Sequence, residues 1–183
     1  MKKILFLMAF VICANVSFAQ TKVGDVTLPN TVTLSGEEMN LNGAGMREKM
    51  WFDLYAGGLY VQTKSSDANS VIDADAPMAM KLHIVSGMVS QSKMIGAVTD
   101  GFENSTSGKA TTVERASFIA CFNDEITKED IFDIVYAAGN TTVYKNGKEK
   151  GSVKGLEFKK ALFGIWLGKK PADKNLKKGM LGK

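Results

Sequence analysis

The stretch Gly43-Ala44-Gly45-Met46-Arg47, followed by Met50-Trp51-Phe52-Asp53-Leu54-Tyr55-Ala56-Gly57-Gly58-Leu59-Tyr60-Val61, decides how the rest of the chain is read. Large apolar and aromatic residues crowd its second half, a composition that suits a half-buried pleated surface. Met46 to Val61 therefore reads as one or two strands, with a bulge or bend expected at Gly57-Gly58. The glycines on both sides let the backbone bend or come close to a ligand. Arg47 stands at the head of this run. Its guanidinium cannot shed its charge, so a half-buried Arg47 needs an anionic or carbonyl partner. Two partners fit the sequence. One is an acidic, mostly apolar ligand in a cleft with a fixed positive end. The other is an internal acid, Glu48 or Asp53, in a salt bridge. Tyr55 divides in the same way between a ligand-facing phenol and a plain core tyrosine.

Outward from this run, strands and helices are mixed without a regular βαβ rhythm. Val26 to Leu34 alternates apolar and polar residues around Pro29, as an edge strand does. Met78 to Val85 reads as a strand with Met78, Met80, Leu82 and Ile84 on one face. Ile131 to Ala138, Thr141 to Tyr144 and Glu149 to Val153 read as three more, with Asn146-Gly147 as a hairpin turn. Asp67 to Ala74 reads as a short surface helix. Ser90 to Phe102 reads as a helix capped by Ser90 or Ser92, with Met94, Ile95, Val98 and Phe102 as its apolar stripe. Thr112 to Phe122 reads as another, burying Val113, Ala116, Phe118, Ile119 and Phe122. Leu156 to Leu167 is a helix stopped by Gly168 and Pro171, and Asp173 to Met180 closes the chain. The expected class is α+β: a large, mainly antiparallel sheet with helices layered on one face.

The chain has 183 residues and a formal charge of +4. Lys2 and Lys3, the apolar run Ile4 to Val16 and the small residues Ser17 and Ala19 compose a secretory signal peptide, with cleavage after Ala19. The residue before Cys13 is Ile12, not a small residue, which argues against a lipid-anchored cysteine. Residues 20–183 then make one domain, and loss of Lys2 and Lys3 brings the charge from +4 to +2. That charge is too mild to imply nucleic acid. Cys121 is the one cysteine left, so no internal disulfide is expected and stability rests on packing. A periplasmic or secreted location follows, with no further segment long enough to span a membrane.

Several chemistries are excluded. His83 is the sole histidine, set in a strand opposite the face of Leu82 and Ile84, and no Gly-x-Ser-x-Gly turn exists for a serine nucleophile. One histidine and one cysteine cannot build a zinc or iron site. Asp73, Asp75 and the Asp124–Asp130 region lack the spacing of a calcium loop. Glu48 stands where a third glycine would complete a dinucleotide loop after Gly43 and Gly45. No metal and no cofactor is expected. Asp100 and Glu103 share a helix face, and the lysines Lys169, Lys170, Lys174, Lys177 and Lys178 form a basic C-terminal cluster; both read as solvated surface.

The run Gly45-Met46-Arg47 with Tyr55-Ala56-Gly57-Gly58-Leu59-Tyr60-Val61, joined by Gly155-Leu156-Glu157-Phe158 and Ile165-Trp166-Leu167-Gly168-Lys169-Lys170-Pro171, resembles the chalcone isomerase-like family, in particular its secreted bacterial branch. The resemblance implies an open-faced β-sandwich, one large antiparallel sheet with helices on one face and a ligand cleft between them. The family's plant enzymes cyclise chalcones by intramolecular addition of a phenolate to an enone, with an arginine steadying the anionic oxygen; Arg47 matches that arginine. Tyr55 stands where those enzymes carry a threonine. Their helix tyrosine and asparagine fall near Met94 and Gly101, and their late Ser/Thr near Phe163 or Gly164, all unmatched in type. Fatty-acid-binding members instead pair the arginine with a tyrosine, as Arg47 and Tyr55 do here. The ligand set this implies is Arg47, Tyr55, Met94, Val98 and Gly101, around a hydrophobic carboxylate or phenolic molecule. The apolar helix face would line the tail channel or simply pack the core. Three functions stay open: binding without turnover, an intramolecular lyase using Arg47 and Tyr55 as its catalytic residues, and a partner-binding module whose cleft is filled by side chains.

Overall fold

A computed structural model describes residues 20–183, so the signal peptide expected over residues 1–19 lies outside the described residues. Seven strands form one antiparallel sheet in chain order: β3 (Thr31–Leu34), β4 (Glu37–Lys49), β5 (Phe52–Val61), β6 (Met78–Ile84), β7 (Ile131–Ala137), β8 (Asn140–Lys145) and β9 (Lys148–Lys154). A separate two-stranded ribbon pairs β1 (Gln20–Val23) with β2 (Val26–Pro29). Among the described residues there are five helices: α1 (Ala68–Asp73), α2 (Gln91–Asn104), α3 (Thr112–Ala120), α4 (Leu156–Leu167) and α5 (Lys174–Met180). The α+β class expected from the sequence is the one found.

Period-2 patterning explains how the sheet is covered on both faces. Met78, Met80, Leu82 and Ile84 of β6 point as expected to the helix layer, where they meet Phe132, Ile134 and Tyr136 of β7 and the buried residues of α4. The opposite face holds a smaller core of Met39, Leu41, Tyr60, Ala79 and Val135, packed by Val32, Leu34 and Tyr144. The sheet curls to enclose it, and Ser35 at the β3–β4 turn reaches the Tyr144 hydroxyl on β8 at 3.2 Å. Leu28 and Val26 of the ribbon cover Ala56 on this second face.

Two local expectations are corrected. Val26 to Leu34 is two strands, because Pro29 ends β2 without an amide to continue the ladder and Asn30 turns the chain into β3. Gly57-Gly58 is neither bulge nor bend. Both residues sit in regular register within β5, opposite Leu82 and Lys81. The bulges fall in the β4–β5 pairing, between Leu41 and Gly43 and between Arg47 and Glu48. Gly57 has another use, shared with Gly43 and Gly45, which is to seat α5, while Gly58 lies against Leu28 and Leu41 on the other face. A Cβ at Gly57 would stand 2.7 Å from Met180 Cε, one at Gly45 would stand 3.3 Å from the Leu176 Cα, and one at Gly43 would strike the Gly179 carbonyl.

The helices begin where their caps predict. Ser90 caps α2, Thr111 and Glu114 form a reciprocal capping box on α3, and Asp173 caps α5 through the amides of Asn175 and Leu176. Asn146-Gly147 makes the β8–β9 turn with φ of 50° and 77°. Val113 and Ala116, both expected in the core, are exposed, Val113 at 75%, because α3 turns only Phe118 fully inward. Lys159 of α4 is fully buried. Its ammonium donates to the carbonyls of Val71, Ile72 and Ala74 at 2.9, 2.9 and 2.8 Å, which closes the C-terminal end of α1. Burial pulls its pKa down to about 8.

Candidate functional site

Arg47 and Tyr55 are direct cross-strand partners on β4 and β5, so their side chains leave the same face of the sheet. One step nearer the turn the register skips Leu54, and Glu48 pairs with Asp53. This bulge frees the Glu48 amide, which donates to Asp173 Oδ2 at 3.3 Å. The carboxylate that caps α5 therefore also fixes the strand beside Arg47. A bulge next to a site is a common way to re-aim a side chain.

Arg47 is half-buried and Tyr55 is 2% exposed. Arg47 Nη1 donates to Tyr55 Oη at 3.4 Å, and the guanidinium carbon lies 5.5 Å from the phenol ring centroid. Trp166, at the end of α4, donates its Nε1 proton to the same oxygen at 2.8 Å. Tyr55 Oη thus accepts from two donors and keeps its own proton to give. Arg47 retains its other N–H groups. Among the described residues Arg47 forms no salt bridge, so the internal pairing with Glu48 or Asp53 left open by the sequence is not the arrangement found. The triad is a cluster of donors facing whatever lies beside it.

What lies beside it is an open cleft of about 980 Å³. That is at the upper end of the roughly 300–1,000 Å³ typical of small-molecule sites. The hairpin end of β4 and β5 forms one wall, with Arg47, Lys49, Phe52, Leu54 and Tyr55 and the turn residues Met50 and Trp51. Met94, Gly96, Ala97, Asp100, Gly101 and Asn104 of α2 form the other, with Lys93 beside them. Met88, Val89 and the segment Lys170-Pro171-Ala172 close the ends. Four cations, Arg47, Lys49, Lys93 and Lys170, face this space against one anion, Asp100. A negatively charged, largely apolar molecule complements such a surface. A cleft filled by side chains, the third possibility raised by the sequence, is not what the fold contains.

Of the residues read from the sequence as a ligand set, Arg47, Tyr55, Met94 and Gly101 line this one cleft. Val98 does not line it; it is 2% exposed and belongs to the main core. Phe102 likewise faces inward, with its ring centroid 5.9 Å from Phe118 and 5.8 Å from Phe158. The physical reason is the rotation of α2. Its bulky stripe packs on α4 and α3, and the flank carrying Gly96, Ala97 and Gly101 opens on the cleft. Gly101 has a packing reason of its own, since a Cβ there would stand 2.5 Å from Ile165 Cγ2 on α4. His83 lies outside the cleft and meets Glu129 at 3.0 Å.

Sequence reading missed Trp166, Lys93, Lys170 and Asp100 as members of the site. For Trp166 and Lys170 a signal existed in the segment Ile165-Trp166-Leu167-Gly168-Lys169-Lys170-Pro171, read as a helix end and as a mark of the family but not as part of the site. Gly168 and Pro171 make the chain leave α4 there, beside Arg47. Nothing in the local pattern distinguished Lys93 or Asp100 from other exposed helix charges.

A family model described as chalcone isomerase-like matches residues 20–182. The chain belongs to that family. No curated protein sequence matches it significantly. Among solved structures it is similar to a fatty-acid binding protein of Arabidopsis thaliana, at a TM-score of 0.68 and 21% identity, over 86% of this chain and 92% of that one. At that identity the likeness speaks for the fold, and the chalcone isomerase-like sandwich expected from the sequence is the fold the chain has. Met94 and Gly101, near which the sequence resemblance places the plant enzymes' polar helix residues, both line the cleft.

Proposed function

We propose that the cleft binds a fatty acid or a similar hydrophobic carboxylate and releases it unchanged. The observation that carries this reading is the donor cluster of Arg47, Tyr55 and Trp166. It presents a permanent cation and a phenolic proton to an apolar cleft, with no carboxylate bridged to Arg47 among the described residues. One carboxylate oxygen can take a charge-assisted bond from the guanidinium and the other the Tyr55 proton. Met94, Ala97 and Leu54 offer the chain apolar surface. Membership of the chalcone isomerase-like family and similarity to a fatty-acid binding protein support the same reading. The basic, apolar start of the sequence supports export, so the proposed setting is periplasmic or secreted.

An isomerase reading would use the same arginine on an enolate or phenolate. Acyl- or enolate-type oxyanion stabilisation needs several positioned donors, each contributing about 2–4 kcal/mol. Met94 and Gly101, near which the resemblance places the plant enzymes' tyrosine and asparagine, carry no side-chain donor, which favours binding over turnover. The test is a titration with a long-chain fatty acid and with the alcohol of the same chain length. Wild type is expected to prefer the acid, and Arg47→Met to lose that preference by about 1.5–3 kcal/mol, the range for a hydrogen bond to a charged group. Equal affinity for acid and alcohol, or Arg47-dependent conversion of a chalcone, would overturn the proposal.

A further inference from the structure

The β4–β5 turn departs from what its geometry favours. Met50 and Trp51 both take left-handed conformations, with φ of 49° and 71°. The same protein builds the β8–β9 turn with φ of 50° and 77°, and there it uses Asn146-Gly147, the residues that such a turn prefers. At the β4–β5 tip it places two large apolar side chains instead, and neither repays the strain by packing. Trp51 is 98% exposed and Met50 78%, with Phe52 at 53% beside them. Exposed Met88, on the other side of the cleft mouth, adds to the same apolar rim.

Three lysines stand around this rim, while Glu48 and Asp53, the exposed cross-strand pair next to the turn, and Asp100 on the α2 wall are the acids near it. Lys49 precedes the turn, and Lys93 and Lys170 stand on the facing walls, all exposed. Tryptophan, phenylalanine and methionine held out in water and flanked by lysines form the side-chain set of an interfacial membrane contact. The aromatic body enters the headgroup region and the ammonium groups stay with the anionic phosphates. Among the described residues no helix is long and apolar enough to cross a membrane, so the contact is peripheral.

We infer that the Lys49–Phe52 hairpin tip docks the protein on the surface of an anionic lipid bilayer, with the mouth of the cleft turned to the lipid. A second copy of the chain fits less well, because Lys49, Lys93 and Lys170 would be brought against the same three lysines. The inference stands on the hairpin and its lysines, and it holds whatever occupies the cleft.

The experiment is vesicle sedimentation with tryptophan fluorescence, using vesicles of phosphatidylcholine alone and of phosphatidylcholine with phosphatidylglycerol. The variant is the double change Met50→Asn with Trp51→Gly, which gives the turn its preferred residues. It is therefore expected to melt no lower than wild type, so lost binding cannot be blamed on unfolding. Wild type is expected to sediment with the phosphatidylglycerol vesicles, to release as salt rises, and to show a blue shift from Trp51 while buried Trp166 contributes a constant background. The variant is expected to bind about tenfold or more weaker, a loss matched to removing one interfacial aromatic and one apolar anchor. Absence of wild-type binding, equal binding by the variant, or no preference for phosphatidylglycerol would overturn the inference. So would a Trp51-dependent dimer that ignores vesicles.

Discussion

Tyr55 holds three roles in one oxygen. It accepts from Trp166 and Arg47, and it keeps a proton for the cleft. Removing that oxygen should therefore be felt twice. Tyr55→Phe leaves the Trp166 N–H buried without a partner, which costs stability by about 1–3 kcal/mol, and a melting curve measures it. The same change weakens carboxylate binding, by less than Arg47→Met does, since a neutral donor contributes less than a charged one. Arg47→Met behaves in the opposite way. No salt bridge is lost with it, so the melting temperature is expected to stay within a degree or two while binding falls. A large drop in melting temperature for Arg47→Met would mean that the guanidinium serves the fold rather than a ligand.

At the scale of elements, the contacts of α2 and α5 explain which glycines matter and in which sense. Gly96 lies in the interior of α2 on the cleft wall, and a Cβ added there meets nothing within 4 Å. Gly96→Ala should raise stability by up to about 1 kcal/mol through helix propensity alone. Gly96→Leu should fill part of the cleft and lower ligand uptake with the fold intact. Gly179, in α5, is the converse. Its Cβ would stand 3.0 Å from the Ala44 carbonyl carbon and 3.1 Å from Gly45 Cα, both backbone atoms that cannot swing aside. Overpacking of about 1–3 kcal/mol then outweighs the helix gain, so Gly179→Ala is expected to melt lower than wild type. Denaturant unfolding of the three variants distinguishes the two cases. Most elements were legible in the sequence, because a cap such as Ser90 and the Asn146-Gly147 turn act locally, but β1 and the part of β4 over residues 37–45, without aromatic residues, were not. What Gly57-Gly58 does was not legible, since Gly57 answers to α5 far along the chain and Gly58 to Leu28 and Leu41 on the other face of the sheet. The lining of the cleft was partly legible for the same reason. Arg47 and Tyr55 are tied by hairpin register, whereas whether Val98 or Ala97 faces the cleft depends on how α2 rotates against α4.

At the scale of the molecule, the fold separates what holds it together from what is left free to act. The charged groups of the β7–β8 end are engaged. Asp130 accepts from the Thr127 amide at 2.8 Å, Asn146 Nδ2 at 2.7 Å and Lys145 at 2.9 Å. Burial alone would raise its pKa, and these bonds outweigh burial and hold it below the ordinary carboxylate range. A carboxyl with a depressed pKa in the folded state contributes stability above the unfolded value, near 4, and loses it as pH falls through the folded value. Asp130→Asn should therefore cost stability at pH 7 and progressively less as pH falls below about 4, which thermal melts across that range would show. The cations of the cleft stand in contrast. Arg47, Lys49, Lys93 and Lys170 face Asp100 alone, and that surplus is the molecular feature on which the functional account rests.

The most direct test is to purify the mature protein from cells, extract what it carries, and compare wild type with Arg47→Ala by mass spectrometry. The account predicts a long-chain carboxylate in wild type at a substantial fraction of one per protein, and little or none in the variant. Negligible lipid in both proteins, or the same amount in both, would contradict it.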